Sequence, residues 1–139
     1  MPFRKDAKIE LLRRTPLFSK CSKRELASIA AIADEIDIPA GRDFIREGER
    51  GREFFAVVEG TVEVRRNGRK VPVKGGIEFF GEIALVSAAP RNATVTATSP
   101  VRAFVITEPA FSALLRESPQ LQLKVLRTLA ERVSQAEPV

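Results

Sequence analysis

Residues 79–95 run Phe-Phe-Gly-Glu-Ile-Ala-Leu-Val-Ser-Ala-Ala-Pro-Arg-Asn-Ala-Thr-Val, an apolar segment that contains one carboxylate, Glu82, and one guanidinium, Arg91. A carboxylate accepts hydrogen bonds from sugar hydroxyls, whereas an arginine can hold a phosphate through two parallel charge-assisted hydrogen bonds. A ribose phosphate would satisfy both groups at once. We therefore predict a small site for an anionic sugar in this segment.

The composition of the chain limits the classes of protein to consider. Its 139 residues are 44% hydrophobic, enough for a single core, and they include no histidine and one cysteine, Cys21. Histidine is the commonest general base and transition-metal ligand, so we expect no enzyme, no catalytic residue and no metal site. A lone cysteine agrees with a reducing compartment, and we interpret Cys21 as a packing residue.

The charges and the N-terminus indicate a cytoplasmic protein. The net charge is +5, but acidic and basic residues are interspersed over residues 42–53, which favours a solvated, salt-bridged surface over a nucleic-acid stripe. No segment approaches the ~20 apolar residues that cross a bilayer, so we expect no membrane contact. The start of the chain is basic but lacks the apolar core of a signal peptide.

Helical patterns occupy both ends of the chain. A short amphipathic helix is expected over residues 7–15, and Ser22 and Glu25 have the spacing of a capping box for a second helix that runs up to Ile38-Pro39. At the other end, Thr107 is expected to cap a turn, and Ser118-Pro119 to open a helix through about Ser134. The apolar stripe of this last helix consists of Leu121, Val125, Leu129 and Val133. We interpret the stripe as a docking face; a movable lid or a partner helix is the alternative.

The middle of the chain has the pattern of antiparallel strands. All eight glycines lie between residues 40 and 106, where they separate short apolar runs, which favours a sandwich or barrel. Asn67-Gly68 is the strongest hairpin signal, because both residues tolerate positive φ. Pro72 should lie on an edge strand or at a bulge. We therefore predict an α+β fold in a single domain, 1–139: helices over 1–39, an antiparallel barrel over 40–106 and helices over 107–139.

Taken as a whole, residues 10–135 resemble the cyclic nucleotide-binding domain family, which includes catabolite activator proteins, kinase regulatory subunits and nucleotide-gated channels. The features that carry the resemblance are Thr15–Phe18 with Arg24–Leu26, Ala40-Gly41 with Ile45–Gly48, Phe54-Phe55 with Val58–Val62, and the cassette 80–95, formed by Phe80–Leu85 and Pro90–Val95. The resemblance implies a jelly-roll barrel and a sensor or regulatory module that binds cAMP or, as the second choice, cGMP, and that signals through its C-terminal helix. We expect a stand-alone module, supported by Met1.

The resemblance also implies a role for each residue of the cassette. Gly81 would let the backbone approach the ligand, and Glu82 would accept a hydrogen bond from the ribose 2′-hydroxyl. Ile83 and Ala84 would belong to a helical turn whose unpaired amides point at the cyclic phosphate, and Ala84 would leave room for it. Arg91 would neutralise a phosphate oxygen. The backbone of Asn92 and Ala93 would line the same pocket.

Two positions differ from the common pattern of the family. Asn92 follows the arginine where alanine or serine is common in cAMP binders and threonine in cGMP binders, and an asparagine can face either purine. Ile77 stands where the family usually has a glycine, which implies a remodelled turn before the cassette. No Trp or Tyr is available to cap the base, so an aliphatic cap is expected, with Leu126, Leu129 and Val133 as candidates.

Other functions remain to be weighed against the sensor. A domain of the same fold that binds no nucleotide and recognises a protein partner is the main alternative. A cupin-type enzyme would need metal-binding histidines, which the chain lacks. A DNA-binding regulator would need a helix-turn-helix beyond the barrel, and the residues after Ile106 are accounted for by two helices, so no direct DNA binding is expected. The downstream partner and the oligomeric state are left open.

Overall fold

The structure is a computed structural model that describes residues 4–87 and 89–136. Two compact units can be separated by their contacts: a helical unit, up to Ile32 and from Ala110 onward, and a β unit, Ala33–Pro109. Both ends of the predicted domain, residues 1–3 and 137–139, lie outside the described residues, as does Ala88 of the predicted cassette. The single domain over 1–139 stays a prediction.

The helices lie at the two ends of the chain, as the sequence predicts. They are α1 (Lys5–Arg13), a 3₁₀ turn (Pro16–Phe18), α2 (Lys23–Ala31), α3 (Glu108–Glu117) and α4 (Pro119–Ala136), with a further 3₁₀ turn at Glu82–Leu85. The capping box is confirmed: Glu25 N–H donates to Ser22 Oγ (3.2 Å) and Ser22 N–H donates to Glu25 Oε1 (2.8 Å). Ser118 accepts a hydrogen bond from Leu121 N–H at 3.3 Å and Pro119 opens α4, so this start is also confirmed.

The strands form two antiparallel sheets. They are β1 (Asp34–Ile38), β2 (Asp43–Ile45), β3 (Glu53–Glu59), β4 (Val62–Arg66), β5 (Arg69–Val71), β6 (Glu78–Phe80), β7 (Thr94–Ala97) and β8 (Val101–Thr107). The strand order is β1-β8-β3-β6 in one sheet and β2-β7-β4-β5 in the other. The predicted α+β class with jelly-roll-like β structure is confirmed.

The closed barrel, in contrast, is corrected to a sandwich. Each sheet has two edge strands, and among the described residues no strand pairing joins one sheet to the other. Three of the four edge strands, β2, β5 and β6, have three residues each, which leaves few backbone groups with which to close a barrel. The two inner faces bury apolar side chains, which include Val57 and Ala103 from the first sheet and Val64 and Val95 from the second.

The Asn67-Gly68 hairpin is confirmed between β4 and β5. Both turn residues have positive φ, 52° at Asn67 and 76° at Gly68, and Arg66 pairs with Arg69 across the turn. Pro72 follows the last residue of β5, which is an edge strand, as expected. The strands of the hairpin form part of a cavity described below.

The second predicted helix is too long. Helix α2 ends at Ala31, and Asp34–Ile38 is strand β1, which pairs with β8 in the register Ile36 to Ala103. The sequence Asp-Glu-Ile-Asp-Ile fits a strand as well as a helix, since Ile36 and Ile38 have the period of two that puts them on one face. The β structure therefore begins before residue 40, and it ends at Thr107 rather than at Ile106.

The core of the helical unit includes Phe18 and Phe111, whose ring centroids lie 5.7 Å apart. Leu121 and Val125 of α4 are buried, but the predicted stripe does not stay buried along the helix, because Val133 is 64% exposed. Within residues 4–87 and 89–136, no helix combines the length and the apolar character that crossing a membrane requires.

Candidate functional site

The predicted cassette begins with a tight backbone turn after β6. Gly81 has φ 79° and ψ 28°, a left-handed conformation that disfavours side chains, and the 3₁₀ turn Glu82–Leu85 follows it directly. The short helical turn is therefore present. One detail differs from expectation: Ala84 N–H donates to the Gly81 carbonyl at 3.0 Å, so this amide is not unpaired. Glu82 and Ile83 occupy the first positions of the turn, where helical geometry supplies no acceptor within the helix.

Arg91 lies against this turn and is partly buried. Its Nη2 donates to the backbone carbonyl oxygen of Glu53 at 2.6 Å. Burial lowers the pKa of Arg91, and the nearby carboxylate of Glu53 opposes the shift. An arginine keeps its charge under these conditions. The site thus holds a positive charge that is already partly removed from water.

The backbone around Arg91 is fixed by the loop that precedes β3. Arg91 N–H donates to the carbonyl of Glu49 at 2.7 Å, and Gly48 N–H donates to the carbonyl of Arg91 at 2.9 Å. The adjacent pair, Arg50 and Pro90, forms an isolated antiparallel bridge. These hydrogen bonds hold the 90–91 backbone beside a loop some forty positions earlier.

A cavity of about 430 Å³, here called the turn cavity, brings together six of the seven predicted ligand-binding residues. They are Gly81, Glu82, Ile83, Ala84, Arg91 and Asn92, and the remaining lining residues are Phe79, Ser87, Ala89 and Pro90. Glu82 and Arg91 therefore line one cavity, and that they bind a ligand there stays a prediction. Ala84 is buried with 7% exposure, which agrees with a residue kept small beside a cavity.

The seventh predicted residue, Ala93, lines a second cavity of about 550 Å³, here called the sheet cavity. Phe79, Gly81, Arg91 and Asn92 line both cavities, so Arg91 stands at their junction. The sheet cavity is mainly apolar; its other lining residues are Ile45, Val64, Arg66, Val71, Pro72, Val73, Lys74, Ile77, Glu78, Phe80 and Val95. The turn cavity, lined by one carboxylate and one arginine, thus adjoins a mainly apolar cavity.

Arg66 and Glu78, two polar side chains of the sheet cavity, are tied to the backbone. Arg66 Nε donates to the carbonyl oxygen of Asn92 at 3.1 Å, and Glu78 Oε1 accepts from Gly75 N–H at 3.1 Å. Lys74 adds a further positive charge to the lining. Three cations against one carboxylate give this cavity a positive potential, which favours an anionic occupant.

Several lining residues were not predicted from the sequence. Arg66, Val64 and Val71 come from the hairpin, whose turn was recognised but whose inner face was not connected with the site. The alternation of Val62, Val64 and Arg66 along β4 was the available signal. No sequence signal indicates the Glu53 carbonyl as a partner of Arg91, because every residue carries such an oxygen.

Two other expectations concern the base cap and metal binding. Of the proposed base caps on α4, Leu126 and Val133 are exposed and Leu129 is partly buried. Within the described part of the chain, no cluster of three metal-ligating side chains occurs.

Comparison with known proteins gives the relationships of the chain. A family model described as the cyclic nucleotide-binding domain matches residues 35–118. The chain is 35% identical over 123 residues to a cyclic nucleotide-gated potassium channel of Rhizobium etli, and the aligned region covers 88% of this chain and 34% of the channel. It is 41% identical over 115 residues to a cAMP-dependent protein kinase regulatory subunit of Mycosarcoma maydis, and the aligned region covers 76% of this chain and 22% of the subunit. The chain therefore spans about a third or less of the length of these relatives.

Solved structures agree with this relationship. The crystal structure of the N-terminal domain of a transcriptional regulator from Streptomyces coelicolor A3(2) has a TM-score of 0.81, 30% sequence identity and 91% coverage of both chains. The family resemblance that residues 80–95 carry is thereby confirmed, and the match extends through the strands and into α3. The chain belongs to the cyclic nucleotide-binding domain family.

Proposed function

We propose that this chain is a regulatory module that binds a purine cyclic nucleotide, with cAMP as the preferred ligand, and that it is not an enzyme. The observation that carries the proposal is the position of Arg91 at the junction of two cavities, one with Glu82 and one that is mainly apolar. The arginine, the carboxylate and the mainly apolar cavity match the three parts of a cyclic nucleotide, which are an anionic phosphate, a hydroxylated sugar and a flat apolar base.

The phosphate would bind to Arg91 in the turn cavity. The guanidinium is already desolvated on one side and retains donors beyond the one that Glu53 uses, so it can form charge-assisted hydrogen bonds to an equatorial oxygen. Ile83, at the first turn of the 3₁₀ segment, can add a backbone amide. Ala84 would leave the volume that the phosphate occupies.

The ribose would bind to Glu82. This side chain is partly buried and lines the same cavity as Arg91, so its carboxylate can accept a hydrogen bond from the 2′-hydroxyl while Arg91 holds the phosphate. A carboxylate beside a bound anion would be repelled unless a hydroxyl stood between them. The pairing of the two groups thus selects a sugar phosphate over a simple inorganic anion.

The base would enter the sheet cavity, whose volume of about 550 Å³ and lining by valine and isoleucine suit a purine ring. Asn92 lines both cavities and would face the base; its amide can donate and accept, so it fits adenine or guanine. cAMP is preferred because Asn92 lacks the hydroxyl that threonine offers in cGMP binders of this family.

The signal would pass to α4. The proposal draws support from the exposed apolar side chains of this helix, Leu126 at 63% and Val133 at 64% exposure, which a ligand or a partner could cover. A ligand shifts such a helix only by its difference in affinity for two conformations. Hydrogen exchange of residues 119–136 with and without cAMP should therefore change protection, and identical exchange would contradict this part of the proposal.

Isothermal titration calorimetry with cAMP and cGMP tests the binding itself. We expect saturable binding of cAMP, and Arg91→Ala should weaken it by roughly 2 to 4 kcal/mol, because a partly buried charged partner of the phosphate is lost. Arg50→Ala is a matched control: it removes one positive charge from the neighbouring loop at an exposed position that lines neither cavity. Equal affinity in Arg91→Ala and wild type would refute the site, and absence of binding up to millimolar ligand would favour a protein-interaction domain instead.

A further inference from the structure

Gly51 differs from every other glycine of the chain. The seven others have positive φ, so their conformation explains the choice of glycine. Gly51 does not, and it is buried. Its φ therefore does not require a glycine, and the reason for a glycine is sought in the space around it.

That space is taken by Arg91. A Cβ built on Gly51 would lie 2.5 Å from Arg91 Nε, 2.7 Å from Cζ and 2.8 Å from Cδ, closer than carbon atoms approach such groups in real proteins. The nearest atoms are all in this one side chain. Gly51 is thus kept without a side chain by the guanidinium that lines both cavities.

The other side of the same guanidinium is bounded in a similar way. A Cβ on Gly81 would overlap Arg91 Nη1 and would lie 3.0 Å from the carbonyl oxygen of Glu53, the oxygen that accepts from Arg91 Nη2 at 2.6 Å. Gly51, Gly81 and the Glu53 carbonyl together form what we call the arginine slot. The slot touches the guanidinium on Nε, Nη1 and Nη2, so it restricts rotation about the last bonds of the side chain.

We propose that Gly51 is a positioning residue for ligand recognition, which acts by leaving room for Arg91 to be held in its binding orientation before the ligand arrives. The proposal rests on the role of Arg91 proposed above. An arginine side chain that is mobile in the ligand-free protein loses rotamer freedom when the ligand binds. A side chain that is already held in its binding orientation avoids that loss. The loop before β3 thereby controls the affinity of a cassette that lies some forty residues later in the chain.

The backbone contact of Gly51 does not account for the glycine. Gly51 N–H donates to the carbonyl of Ala89 at 3.4 Å, a long hydrogen bond that any residue except proline could make. The loop is additionally held by Gly48 N–H and Arg91 N–H, whose bonds are shorter. A larger residue at position 51 is therefore expected to displace the arginine side chain rather than the loop.

A double-mutant cycle tests the proposal through cAMP affinity, measured by calorimetry. Gly51→Ala fills the slot partly and Gly51→Val fills it fully. Both should weaken binding, the valine variant more than the alanine variant, with a loss of roughly 10- to 100-fold for valine. In an Arg91→Ala background the same substitutions should change affinity less than about 2-fold, because no guanidinium remains to be displaced. Equal losses in both backgrounds would mean that Gly51 serves the loop, and would overturn the proposal.

A second readout does not depend on the nucleotide. In the ligand-free protein the Nε–H resonance of Arg91, assigned by its disappearance in Arg91→Lys, should exchange slowly with water, and should shift and exchange faster in Gly51→Ala. An unchanged resonance would overturn the slot even if cAMP binds. If cAMP does not bind wild type while the resonance behaves as expected, the slot stands and the proposed ligand fails. Gly51→Ala, the smaller change, serves this measurement if Gly51→Val does not fold.

Discussion

Glu25 of α2 forms a hydrogen-bonded ion pair with Lys124 of α4, although 99 positions separate them in the sequence. The same carboxylate accepts the backbone N–H of Ser22 in the capping box. One side chain thus caps the start of α2 and joins this helix to α4 within the helical unit. The Glu25 side chain is 13% exposed and that of Lys124 is 32% exposed, so water screens this pair less than it screens most surface pairs.

Loss of the Lys124 ammonium should destabilise the protein. Lys124→Met keeps the length of the side chain and removes the charge, which leaves a largely buried carboxylate without its cation. The free energy of unfolding should fall by about 1 to 2 kcal/mol. Urea denaturation measures the change.

Lys20→Met is the matched control for Lys124→Met. Lys20 pairs with Glu131 of α4 at 3.0 Å, but both side chains are well exposed, at 40% and 58%. Exposed pairs contribute about 0 to 1 kcal/mol, so this variant should lose clearly less stability. Equal losses in the two variants would show that burial of the Glu25–Lys124 pair adds nothing.

The ionisation of Glu25 should make stability depend on pH in the acid range. Burial raises the pKa of Glu25, but hydrogen bonds from Lys124 and Ser22 outweigh it and bring the pKa below the ordinary value of 4.5. A carboxyl with a lowered folded pKa stabilises the protein above the unfolded value and loses that contribution as the pH falls through the folded value. The stability difference between wild type and Glu25→Gln should therefore be constant above pH 5 and shrink below about pH 4. A difference that grows toward low pH would contradict the assignment.

The local signals of the sequence were sufficient for caps and turns, because each depends on residues that are close neighbours. Ser22 with Glu25, Asn67 with Gly68, and Ser118 with Pro119 each carry their own geometric requirement, and the structure has each as predicted. Glu82 and Arg91, nine positions apart, both line the turn cavity, and their role in binding a ligand stays a prediction. What depends on distant partners was harder to predict.

Strand β1 shows why. Ala33 and Ile36 continue the helical period of α2, whereas Ile36 and Ile38 fit a strand, so the local pattern is ambiguous and the pairing of Ile36 with Ala103 on β8 decides between the two. The Glu25–Lys124 pair and the arginine slot are of the same kind, since each joins groups far apart in sequence through a specific three-dimensional arrangement. A single sequence contains no local signal for such contacts.

Cys21 should give a second pH dependence, in the alkaline range. Burial foremost, and then the carboxylate of Glu25, raise the pKa of the thiol from 9.0 to about 11, and the charge of Lys124 offsets part of this. A raised folded pKa means that stability is intact below pH 9 and is lost as the pH rises toward 11. Between pH 8 and 10.5 wild type should lose on the order of 1 kcal/mol more than Cys21→Ala, which has no thiol to titrate. Parallel losses in the two proteins, measured by urea denaturation, would show that Cys21 does not titrate differently on folding.

Gly81→Ala should impair both stability and ligand binding, for two separable reasons. The positive φ of 79° disfavours any side chain, which costs about 1 kcal/mol of stability, and the new Cβ would also overlap Arg91 Nη1. Gly41→Ala is a control that isolates the first effect, since Gly41 has φ 89° and an added Cβ would meet nothing within 4 Å. Gly81→Ala should therefore lose at least as much stability as Gly41→Ala, measured by urea denaturation, because its Cβ would also lie 3.0 Å from the carbonyl oxygen of Glu53. Only Gly81→Ala should also lose cAMP affinity, because it alone displaces the guanidinium. Retained affinity in Gly81→Ala would mean that Arg91 can leave the slot without cost. The preorganised orientation would then have no part in binding.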